Sequence, residues 1–506
     1  MTKNIDEISN EIRKLKEHIT SLKTILAEKD AEISLLKEAM LLSRAKMFGS
    51  SSEKTVSGQL ALEFFDEAEK ESNLNAAEPT IERVTKNKRK SRTDNISHLE
   101  TEVIEYTLSD DELLCPKCET PLEKISDHTR ETIKIYKRVI RNLEKQAVYA
   151  CPKCEMIVKA SMPKLPIEGS LASASALSQV IVDKYANGLP FYRQNQDYER
   201  VGLSLSRQTL TNWAMKSSDL LDIVYQAMIK KLLSNDILHA DETTCQVLKE
   251  SGKPAKSKSY MWLYRTGRLD TPIVIYDYHP SRSGNIPKEF LKNFEGYLHV
   301  DGYSGYQAVQ NVTLVGCLAH VRRYFSDAYK LIEKSENANE TGTAKGLKYC
   351  NRLFALDKES KTLDIDQRFI FKQEKIKPIF DEFLTWVKNA SLDALPQSKY
   401  GKALKYAMNQ LPNVMHYLDK GELDIDNNLA ERSIKPFVIG RKNWLFNNTV
   451  TGADSSARLY SIVQTCILNK VNPYLYLNST LTKLANMTIN QDTDLAGFLP
   501  WNFTEV

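Results

Sequence analysis

The sequence lacks any apolar run long enough to cross a bilayer, and it lacks a marked excess of either charge. Of its 506 residues, 69 are Lys or Arg and 65 are Asp or Glu, so the formal net charge is +4. Such a balance gives no argument for nucleic-acid binding from the whole chain, and local clusters must carry that argument. The N-terminus, MTKNIDEISNEIRKLKEHI, also lacks the apolar centre of a signal peptide. We therefore expect a cytoplasmic protein with no membrane partner.

Cysteine is scarce as well, with eight in the whole chain. In a reducing compartment, paired spacing of a few cysteines favours metal over disulfide. Two CPKC motifs, with Cys115 and Cys118 in the first and Cys151 and Cys154 in the second, are separated by 32 residues. They supply four thiolates for one tetrahedral structural zinc ion, and a pair of disulfides is the alternative. The remaining cysteines are scattered and predicted to be buried: Cys245, Cys317, Cys350 and Cys466.

The length predicts several domains, at roughly 150 residues for each. Composition and hydrophobic periodicity predict a multidomain α+β protein. We assign the following segments: a coiled coil at 1–48, a basic linker at 49–105, a zinc-finger-like module at 106–165, a helical region at 166–235, a core of strands and helices at 236–460 with a helical insertion at about 326–421, and a C-terminal helical region at 461–506.

Apolar residues recur every seven positions between Ile5 and Met40. The a positions are mostly isoleucine and the d positions mostly leucine, which favours a parallel two-stranded coiled coil. Lys29 is the one polar residue in this seam. The alternative is a single amphipathic helix packed on its own protein, which would not need so strict a repeat. The pattern therefore predicts a homodimer or a higher oligomer.

The linker carries the stretch RVTKNKRKSR, Arg83 to Arg92, with six cations and no acid. A basic linker of this kind is usually only solvated. It can also follow a phosphate backbone, where each contact releases counterions. The sequence leaves both interpretations open.

The stretch GLSLSRQTLTNW is similar to a helix-turn-helix. A glycine turn is followed by Ser206 as N-cap, with Leu210 and Trp213 on one face of the helix. Arg207 and Gln208 would then be exposed, as a recognition helix requires. Many helical pairs show this pattern without touching DNA, so a plain packed pair is the alternative.

After residue 236 the pattern changes to short apolar runs typical of strands. ILHAD, which ends at Asp241, is followed by CQVL, SYMWLYR and PIVIYDY as further strands. PKEFLKNF then predicts a helix, YLHVD a strand that ends at Asp301, and TLVGC a strand that runs into the helical LAHVRRYFSDAY. Three strands, a helix and another strand are the order of the ribonuclease-H-like fold. That fold sets one acid on its first strand and a second acid just after its fourth.

Two strand-borne aspartates need a third acid to form a metal site, typically on a later helix. Carboxylates are hard oxygen ligands suited to magnesium, and two ions about 3.5 to 4 Å apart can activate an attacking oxygen and stabilise a leaving one. The stretch LDIDNNLAERSIKPFVIGRKNWLF provides Glu431. Asp424 and Asp426 are its rivals, but Asp426 is better explained as a helix cap. Pro436 is predicted to close the helix. As an alternative, an aspartate at a strand end is often only a turn former.

The motifs HADET, VDGYSGY, GCLAHVRRYF and DNNLAERSIKPFVIGRKNWLF follow one another in this order. With SRAKMFGSSSEK, the paired CPKC motifs, YANGLPFYRQ, SRQTLTNW and ILNKVNPYLYLNSTL, they extend over nearly the whole chain. Together they resemble the DDE transposases of bacterial insertion sequences, in the IS66 family. The resemblance implies a catalytic triad of Asp241, Asp301 and Glu431, which would hold two magnesium or manganese ions. Lys435 stands where an arginine is commoner in that family.

Cations and aromatic residues follow the third acid closely. Such cations would hold a DNA backbone near the metal site, and an aromatic ring can stack on a displaced base. Trp444 and Phe446 are either such stacking surface or core. The cations predicted to bind DNA here are Arg432, Lys435, Arg441 and Lys442.

Cys317 and His320 have the spacing of a CxxH pair in CLAHVRRYF, but no second pair accompanies them. We therefore interpret this segment as a packed helix with Arg322 and Arg323 facing DNA, and not as a zinc site.

The resemblance implies metal-dependent cleavage of DNA strands at insertion-sequence ends and strand transfer into target DNA. Its expected partners are element ends, target DNA and companion proteins of the element, in a nucleoid-associated location. A serine or tyrosine recombinase would need a nucleophile motif, and we find none. The alternative is a catalytically inactive, dimeric zinc-finger protein that binds DNA and derives from a transposase. The intact set of acids argues against that alternative.

Overall fold

In the computed structural model, the described residues are 138–335, 337–488, 490 and 493–504, with a few isolated positions before residue 138. The chain divides into two units, Ser50–Arg138 and the remainder, and every element below belongs to the second unit. Apart from isolated positions, the predicted coiled coil and basic linker lie outside the described residues, as do Cys115 and Cys118. No helix in the described part of the chain is long and apolar enough to span a membrane.

The described part begins with a small hairpin. β1 (Val148–Ala150) pairs antiparallel with β2 (Ile157–Lys159), and the second CPKC motif forms the turn between them. The turn closes through backbone hydrogen bonds from the N–H of Cys151 to the carbonyl of Met156 and from the N–H of Glu155 to the carbonyl of Cys151, both 2.9 Å long. Glu155 has a φ of 57°, a conformation that lets the chain reverse tightly after the second cysteine.

Four helices follow the hairpin: α1 (Ala174–Tyr185), α2 (Phe191–Arg200), α3 (Arg207–Leu220) and α4 (Asp222–Leu232). Ser206 caps α3 by accepting a hydrogen bond from the N–H of Thr209, as the sequence predicts. Leu210 and Trp213 are buried on the inner face of α3. The helices do not form a core of their own, because their apolar faces join the same hydrophobic cluster as the sheet.

A mixed sheet forms the centre of the structure, with helices packed against it. Along its main path the strands lie in the order β5, β4, β3, β6, β7; β3 is antiparallel to β4 and parallel to β6, and β6 is parallel to β7. The elements are β3 (Ile237–Lys249), β4 (Lys258–Thr266), β5 (Val274–His279), α5 (Asn285–Phe290), β6 (Gly296–His299), β7 (Val312–Val315) and α6 (Leu318–Tyr329).

One strand prediction is wrong. The sequence suggests one strand ending at Asp241 and a second at CQVL, whereas β3 is one continuous strand of 13 residues. The sequence did not predict one continuous β3 because residues Glu242 to Thr244 are polar and show no alternation of apolar and polar residues. These residues are held in the strand by antiparallel pairing with β4. Asp241 therefore lies in the middle of a paired strand and not at its end.

A block of helices lies between α6 and the helix that carries Glu431. It has a second hydrophobic cluster, separate from that of the sheet, built around Phe325, Phe380, Phe383 and Leu404. Its main helices are α7 (Gly342–Ser360), α8 (Ile365–Phe371), α9 (Lys377–Asp393) and α10 (Lys399–Met415), with a π-helical turn at Lys372–Ile376 between α8 and α9.

Polar side chains in this block form what we call the Asp357 cluster, in which Asp357, Arg368, Lys372 and Tyr417 are buried and Lys361 lies at the exposed edge. Asp357 accepts from Arg368 at 3.2 Å, from the hydroxyl of Tyr417 at 2.7 Å, and from Lys361 at 2.7 Å. Nζ of Lys372 lies within 3.2 Å of four backbone carbonyl oxygens, which accept its hydrogen bonds, and burial lowers the pKa of this amine to about 6. Each charge in the cluster thus has partners.

The helix that carries Glu431, α11 (Asn428–Trp444), contains Pro436 in its interior. The prediction that Pro436 closes this helix is wrong. Proline removes one N–H from the helix ladder and disturbs the carbonyls of the preceding turn. The sheet meets one of those groups, because the hydroxyl of Tyr276 donates to the carbonyl of Ser433, three residues before the proline. Arg265 holds the start of the helix separately, by donating to the carbonyl of Leu429 at 3.3 Å. Tertiary contacts therefore carry the helix through the proline.

The chain then returns to the sheet through β8 (Asn447–Thr449), which pairs in parallel with the far end of β3. α12 (Val450–Leu468) follows and packs on β5, where the hydroxyls of Ser461 and Thr465 accept from backbone N–H groups of the strand. The boundary that we predicted at residue 460 falls inside this helix. The last long helix is α13 (Pro473–Asn486).

Candidate active site

The first acid lies at the centre of β3. Asp241 is half-buried, and its Oδ1 accepts a hydrogen bond from the N–H of Glu242 at 2.8 Å. On the side of β3 away from β4, β6 pairs only with residues 237–239 and β8 only with residues 247 and 249. α11 packs against β3 as well, and Arg441 from this helix reaches Thr243 and Thr244 within the unpaired interval. Asp241 therefore stands at a break in the sheet.

The second acid follows β6 by two residues. Oδ1 of Asp301 accepts a hydrogen bond from the N–H of Tyr303 at 2.9 Å. Asp301 therefore does form a turn, as expected from the alternative that an aspartate at a strand end is a turn former. That bond uses one carboxylate oxygen. A turn-forming role and a ligand role are therefore compatible at this position.

The third acid is in the first turn of α11. Glu431 Oε1 is 3.7 Å from Nδ1 of His320, and Oε2 is 3.9 Å from the guanidinium of Arg323. The Glu431 side chain is 26% exposed, so solvent or a substrate reaches it. Its rivals lie elsewhere: Asp424 is within 3.4 Å of Arg268, and Asp426 accepts from the N–H of Asn428 at 3.0 Å. Asp426 is thus a cap of the first turn, although Asn427 holds the N-cap position itself.

The fold brings the three acids together. Burial raises the pKa of Asp241 well above its usual value, and the negative charges of Glu242, Asp301 and Glu431 raise it further. We call Asp241, Asp301 and Glu431 the acid cluster. The neighbouring negative charges disfavour the ionised form of Asp241, and a divalent cation between the acids would reduce this repulsion.

A fourth carboxylate next to the acid cluster escaped the sequence analysis. Glu242 is adjacent to Asp241, and its side chain is only 2% exposed. It accepts a forked hydrogen bond from Arg282 and a bond of 2.6 Å from the hydroxyl of Tyr306. Burial and the charge of Asp301 raise its pKa, whereas these two partners lower it. Glu242 thus has an arginine and a hydroxyl as close partners, whereas the side chains of Asp241 and Asp301 each accept from a backbone N–H. The signal in the sequence was only its position after Asp241.

Asn427 connects the elements that carry the acids. It is buried, and its side-chain amide donates to the carbonyl of Ala240 at 2.8 Å, next to Asp241. Its side-chain oxygen lies 2.9 Å from Nδ1 of His239, and its backbone N–H donates to the thiol of Cys317 at 3.3 Å. One residue therefore fixes the start of the Glu431 helix against β3 and against the start of α6. No role was assigned to Asn427 from the sequence.

Two buried histidines stack beneath the acids. His239 and His299 are register partners on β3 and β6, with ring centroids 4.1 Å apart and an angle of 7° between the planes. Burial lowers the pKa of His239 to about 4 and that of His299 well below its usual value. Both rings are therefore neutral. Since the amide of Asn427 is turned to donate to Ala240, its oxygen faces His239 Nδ1, which must donate.

The residues that we predicted to bind DNA fall into three groups by their surroundings. Arg322, Arg323, Arg432 and Lys442 are exposed, and Lys435 is half-buried. Arg207 and Gln208 are exposed at the start of α3. Arg441 instead donates to the hydroxyls of Thr243 and Thr244 on β3, at 3.3 and 3.0 Å, and burial lowers its pKa. Arg441 thus serves first to hold α11 on the sheet.

A surface groove of about 420 Å³ opens beside the start of α11. It is lined by Ala319, Arg322, Asn351, Phe354 and Asn428. The guanidinium of Arg322 donates to the side chain of Asn351 at 2.7 Å, which ties α6 to the helical block. Trp444 is half-buried and packs edge-on against Phe437, so its core interpretation holds in part, whereas Phe446 is exposed.

The described half of the zinc motif has the form of a knuckle. Backbone N–H groups of Cys154 and Lys153 point at the sulfur of Cys151 and lower the pKa of its thiol. A thiolate held by N–H groups in a tight turn is suited to a metal. Cys154 is exposed beside it. Cys115 and Cys118 lie outside the described residues.

Comparison with known proteins agrees with this geometry. Residues 169–455 match the family model described as "Transposase IS66 family", and residues 461–501 match the "IS66 C-terminal element". Residues 35–104 match "Transposase C of IS166 homeodomain", a range that crosses the boundary we predicted at residue 48.

Three relatives come from Sinorhizobium fredii (strain NBRC 101917 / NGR234). The chain is similar to the uncharacterized protein y4qI, 30% identical over 371 residues, 70% of this chain and 67% of that one. It is similar to y4jD, 26% identical over 514 residues and 97% of each chain. For y4hP the identity is 24% over 401 residues, 76% of this chain and 72% of the relative.

The first of these family models spans more than half of the chain. DDE transposases act on DNA with a divalent metal ion. The chain therefore belongs to the IS66 family of DDE transposases and is a polynucleotidyl transferase.

Proposed function

We propose that Asp241, Asp301 and Glu431 are the catalytic carboxylates of this transposase, within a ribonuclease-H-like core. The observation that carries the proposal is the raised pKa of Asp241, to which the charges of Asp301 and Glu431 both contribute. These acids are 60 and 190 residues away along the chain. The strand order β5, β4, β3, β6, β7, with β3 parallel to β6, supports the fold assignment.

The three side chains fit a hard divalent cation. They offer oxygen donors, as Mg²⁺ and Mn²⁺ prefer, and Oε1 of Glu431 is buried with no hydrogen-bond partner. We infer that Asp241, Asp301 and Glu431 would hold these ions. When bound, the ions supply charge that stabilises the attacking and leaving oxygens of phosphoryl transfer.

The chain's own residues position the substrate. Exposed cations beside the acids, Arg432 on α11 and Arg323 on α6, would bind the phosphates that flank the scissile bond. Arg207 and Gln208 at the start of α3 would contact DNA farther from the reaction. Water would hydrolyse a phosphodiester at the element end and free a 3′ hydroxyl. That hydroxyl would then attack a phosphodiester of target DNA at the same acids and displace a 3′ hydroxyl of the target strand. No side chain becomes covalently attached to DNA.

We also propose one structural zinc held by Cys115, Cys118, Cys151 and Cys154, and a homodimer formed through the coiled coil at 1–48. The knuckle at Cys151 supports the first proposal. The heptad pattern of the sequence supports the second.

The test of the active-site proposal compares two carboxylates five residues apart. Glu431→Gln keeps the shape of the side chain but removes the charge that a divalent cation requires. We expect Mg²⁺- or Mn²⁺-dependent nicking of element-end DNA to fall by orders of magnitude, while DNA binding persists. Asp426→Asn is the matched control, because asparagine caps a helix about as well as aspartate.

The reverse outcome, in which Asp426→Asn is inactive and Glu431→Gln cleaves normally, would assign the third role to Asp426. Wild-type protein that binds element ends but never nicks them with either metal would instead support the inactive, DNA-binding alternative.

A further inference from the structure

Three side chains with different donor atoms converge beside the acid cluster. Cys317 immediately precedes α6, His320 lies in its first turn, and Glu431 is in the first turn of α11. One ligand atom from each, the thiol sulfur, a ring nitrogen and a carboxylate oxygen, lies within 4.8 Å of the other two. The Cys317–His320 pair lacked a second CxxH partner in the sequence. The fold supplies a partner of another kind, Glu431.

The spacing is close to that of a coordination shell. Nitrogen and oxygen ligands of a tetrahedral zinc ion stand about 3.3 Å from each other, because each is about 2.0 to 2.1 Å from the metal. Nδ1 of His320 and Oε1 of Glu431 are 3.7 Å apart. A small rotation of either side chain brings both into range of one ion.

The two facing atoms are also buried and unsatisfied. Neither Nδ1 of His320 nor Oε1 of Glu431 has a hydrogen-bond partner, although both are shielded from solvent. Buried polar atoms normally have a hydrogen-bond partner, so two facing atoms that both lack one need an explanation. An ion between them satisfies both at once.

We propose that Cys317, His320 and Glu431 form a second metal site, which takes a thiophilic divalent ion, Zn²⁺, and opposes cleavage by engaging Glu431. The inhibitory part rests on the catalytic role proposed above for Glu431, whereas the binding part does not.

The donor set selects zinc over magnesium. Sulfur and imidazole are poor ligands for Mg²⁺ and good ones for Zn²⁺, which also binds more tightly than Mn²⁺ to mixed N, O and S sites. Coordination replaces the thiol proton of Cys317, which passes to solvent. Three protein ligands leave one position open. Glu431 has a single carboxylate, and a zinc ion that holds Oε1 against His320 competes with the ions of the acid cluster for it.

The nearby charges leave room for a cation. Arg323 lies 3.9 Å from Oε2 of Glu431, on the other carboxylate oxygen, and is 43% exposed. Oε1 of Glu431, which faces His320, remains available to a cation.

The experiment counts zinc on the full-length chain. Wild-type protein and three variants are loaded with a slight excess of Zn²⁺, desalted and analysed for metal. Cys317→Ser keeps an acceptor for the N–H of Asn427, and His320→Gln changes a partly exposed side chain. Cys350→Ser is the matched control, since Cys350 is a buried cysteine in α7 far from this site in the sequence.

We expect Cys317→Ser and His320→Gln each to carry one zinc equivalent fewer than wild type, and Cys350→Ser to equal wild type. Zinc held by the CPKC motifs is common to all four proteins and cancels. Equal zinc content in all four would overturn the proposal. Should Cys317→Ser fail to fold, His320→Gln decides the question by itself.

Zinc-edge X-ray absorption gives a second readout. The equivalent lost in the variants should show one sulfur and two or more lighter ligands, not four sulfurs. If the lost equivalent has four sulfur neighbours, the variants have disturbed the CPKC site and the proposal fails.

The inhibitory part is tested with Mg²⁺-dependent nicking at increasing Zn²⁺, each protein normalised to its own zinc-free rate. We expect wild type and Cys350→Ser to be inhibited at a concentration at least tenfold lower than His320→Gln. Equal inhibition with the zinc count confirmed would overturn the inhibitory part alone. Failure of the catalytic proposal is seen separately, as full activity of Glu431→Gln.

Discussion

The acid cluster beside the sheet and the Asp357 cluster of the helical block both contain carboxylates that are partly or fully buried, but the groups around these carboxylates differ in charge. In the helical block, Asp357 accepts from Arg368, Lys361 and Tyr417, and Lys372 donates to four carbonyls. In the sheet, Asp241 faces the negative charges of Glu242, Asp301 and Glu431.

The difference separates a structural use of buried charge from a chemical one. A fully paired cluster holds elements in place and has no capacity for another ion. A cluster of like charges destabilises the metal-free fold and gains energy when a cation arrives. Even Glu242, next to Asp241, belongs to the paired kind, because Arg282 and Tyr306 satisfy it. Charge balance thus distinguishes ligands from supports.

The largest effect should come from Asp241→Asn, which removes the central charge of the acid cluster. We expect metal-dependent nicking to fall by orders of magnitude, and the free energy of unfolding of the metal-free chain to rise, because repulsion is relieved. Nicking assays and urea unfolding with a chelator measure the two effects. A variant that loses activity and stability together would show that Asp241 is structural.

Breaking the paired cluster should have the opposite signature. Arg368→Met leaves Asp357 without its buried guanidinium partner, and truncating one side of a buried ion pair costs about 3–5 kcal/mol. We expect a loss of that order in urea unfolding of the helical block. Lys358→Met, on the exposed face of α7, is the control and should change little. Unchanged stability in Arg368→Met would contradict the contrast between the clusters.

Asn427 sharpens the comparison, because it positions the acids without being one of them. Asn427→Ala removes the bonds to Ala240 and His239, and groups that orient metal ligands typically contribute about 10–100-fold to metal affinity. We expect the Mn²⁺ dissociation constant, measured by direct titration, to rise by that factor. Asn428→Ala, one residue later, should have a smaller effect. Identical affinities for both variants and wild type would leave Asn427 with no positioning role.

Stability should depend on pH through Asp241. Its pKa is raised on folding, so between the unfolded value of 3.8 and the folded value the native state binds more protons than the unfolded state. The free energy of unfolding contributed by this group therefore falls as pH rises through that window. Without metal, Asp241→Asn and wild type should be about equally stable near pH 4 and should diverge above it. Saturating Mg²⁺ should raise the free energy of unfolding of wild type toward that of Asp241→Asn.

The smallest effect concerns an exposed cation. Arg432→Ala should lower the slope of log affinity for DNA against log salt by about one, because one phosphate contact is lost. Binding titrations at several salt concentrations measure it. Lys388→Ala, exposed on α9 in the helical block, is the charge-matched control and should leave the slope unchanged. An unchanged slope in Arg432→Ala would place this residue away from the DNA backbone.

Local patterns in the sequence predict local structure well here. The cap at Ser206, the buried face of Leu210 and Trp213, and the helix at Leu318–Tyr329 are set by neighbouring residues, and the structure confirms them. Whether Asp241, Asp301 and Glu431 are the ligands stays a prediction, although the fold brings them together.

What the sequence could not provide depends on residues far apart in the chain. α11 passes through Pro436 because Tyr276 donates to the carbonyl of Ser433 in the preceding turn, and β3 continues past Asp241 because β4 pairs with its polar residues. The role of Asn427 depends on His239, 188 positions away. No periodicity or spacing encodes such contacts.

The helical block between α6 and α11 starts and finishes at nearly the same point. The N–H of Gly316 donates to the carbonyl of Asn413, and the N–H of Leu318 donates to the carbonyl of Ile425, both at 3.1 Å. Each doubling of the length of a connecting segment adds only about 0.6 kcal/mol to the free-energy cost of closing the loop. Relatives can therefore carry shorter or longer blocks at this point, with little penalty for placing the third acid beside the other two. The order in which the chain is synthesised imposes a stricter condition, because Glu431 comes after most of the sheet. With the roles proposed above, a chain that stops before Glu431 contains α3 and most of the sheet but only two of the three acids, so we expect it to bind DNA and not to cleave it.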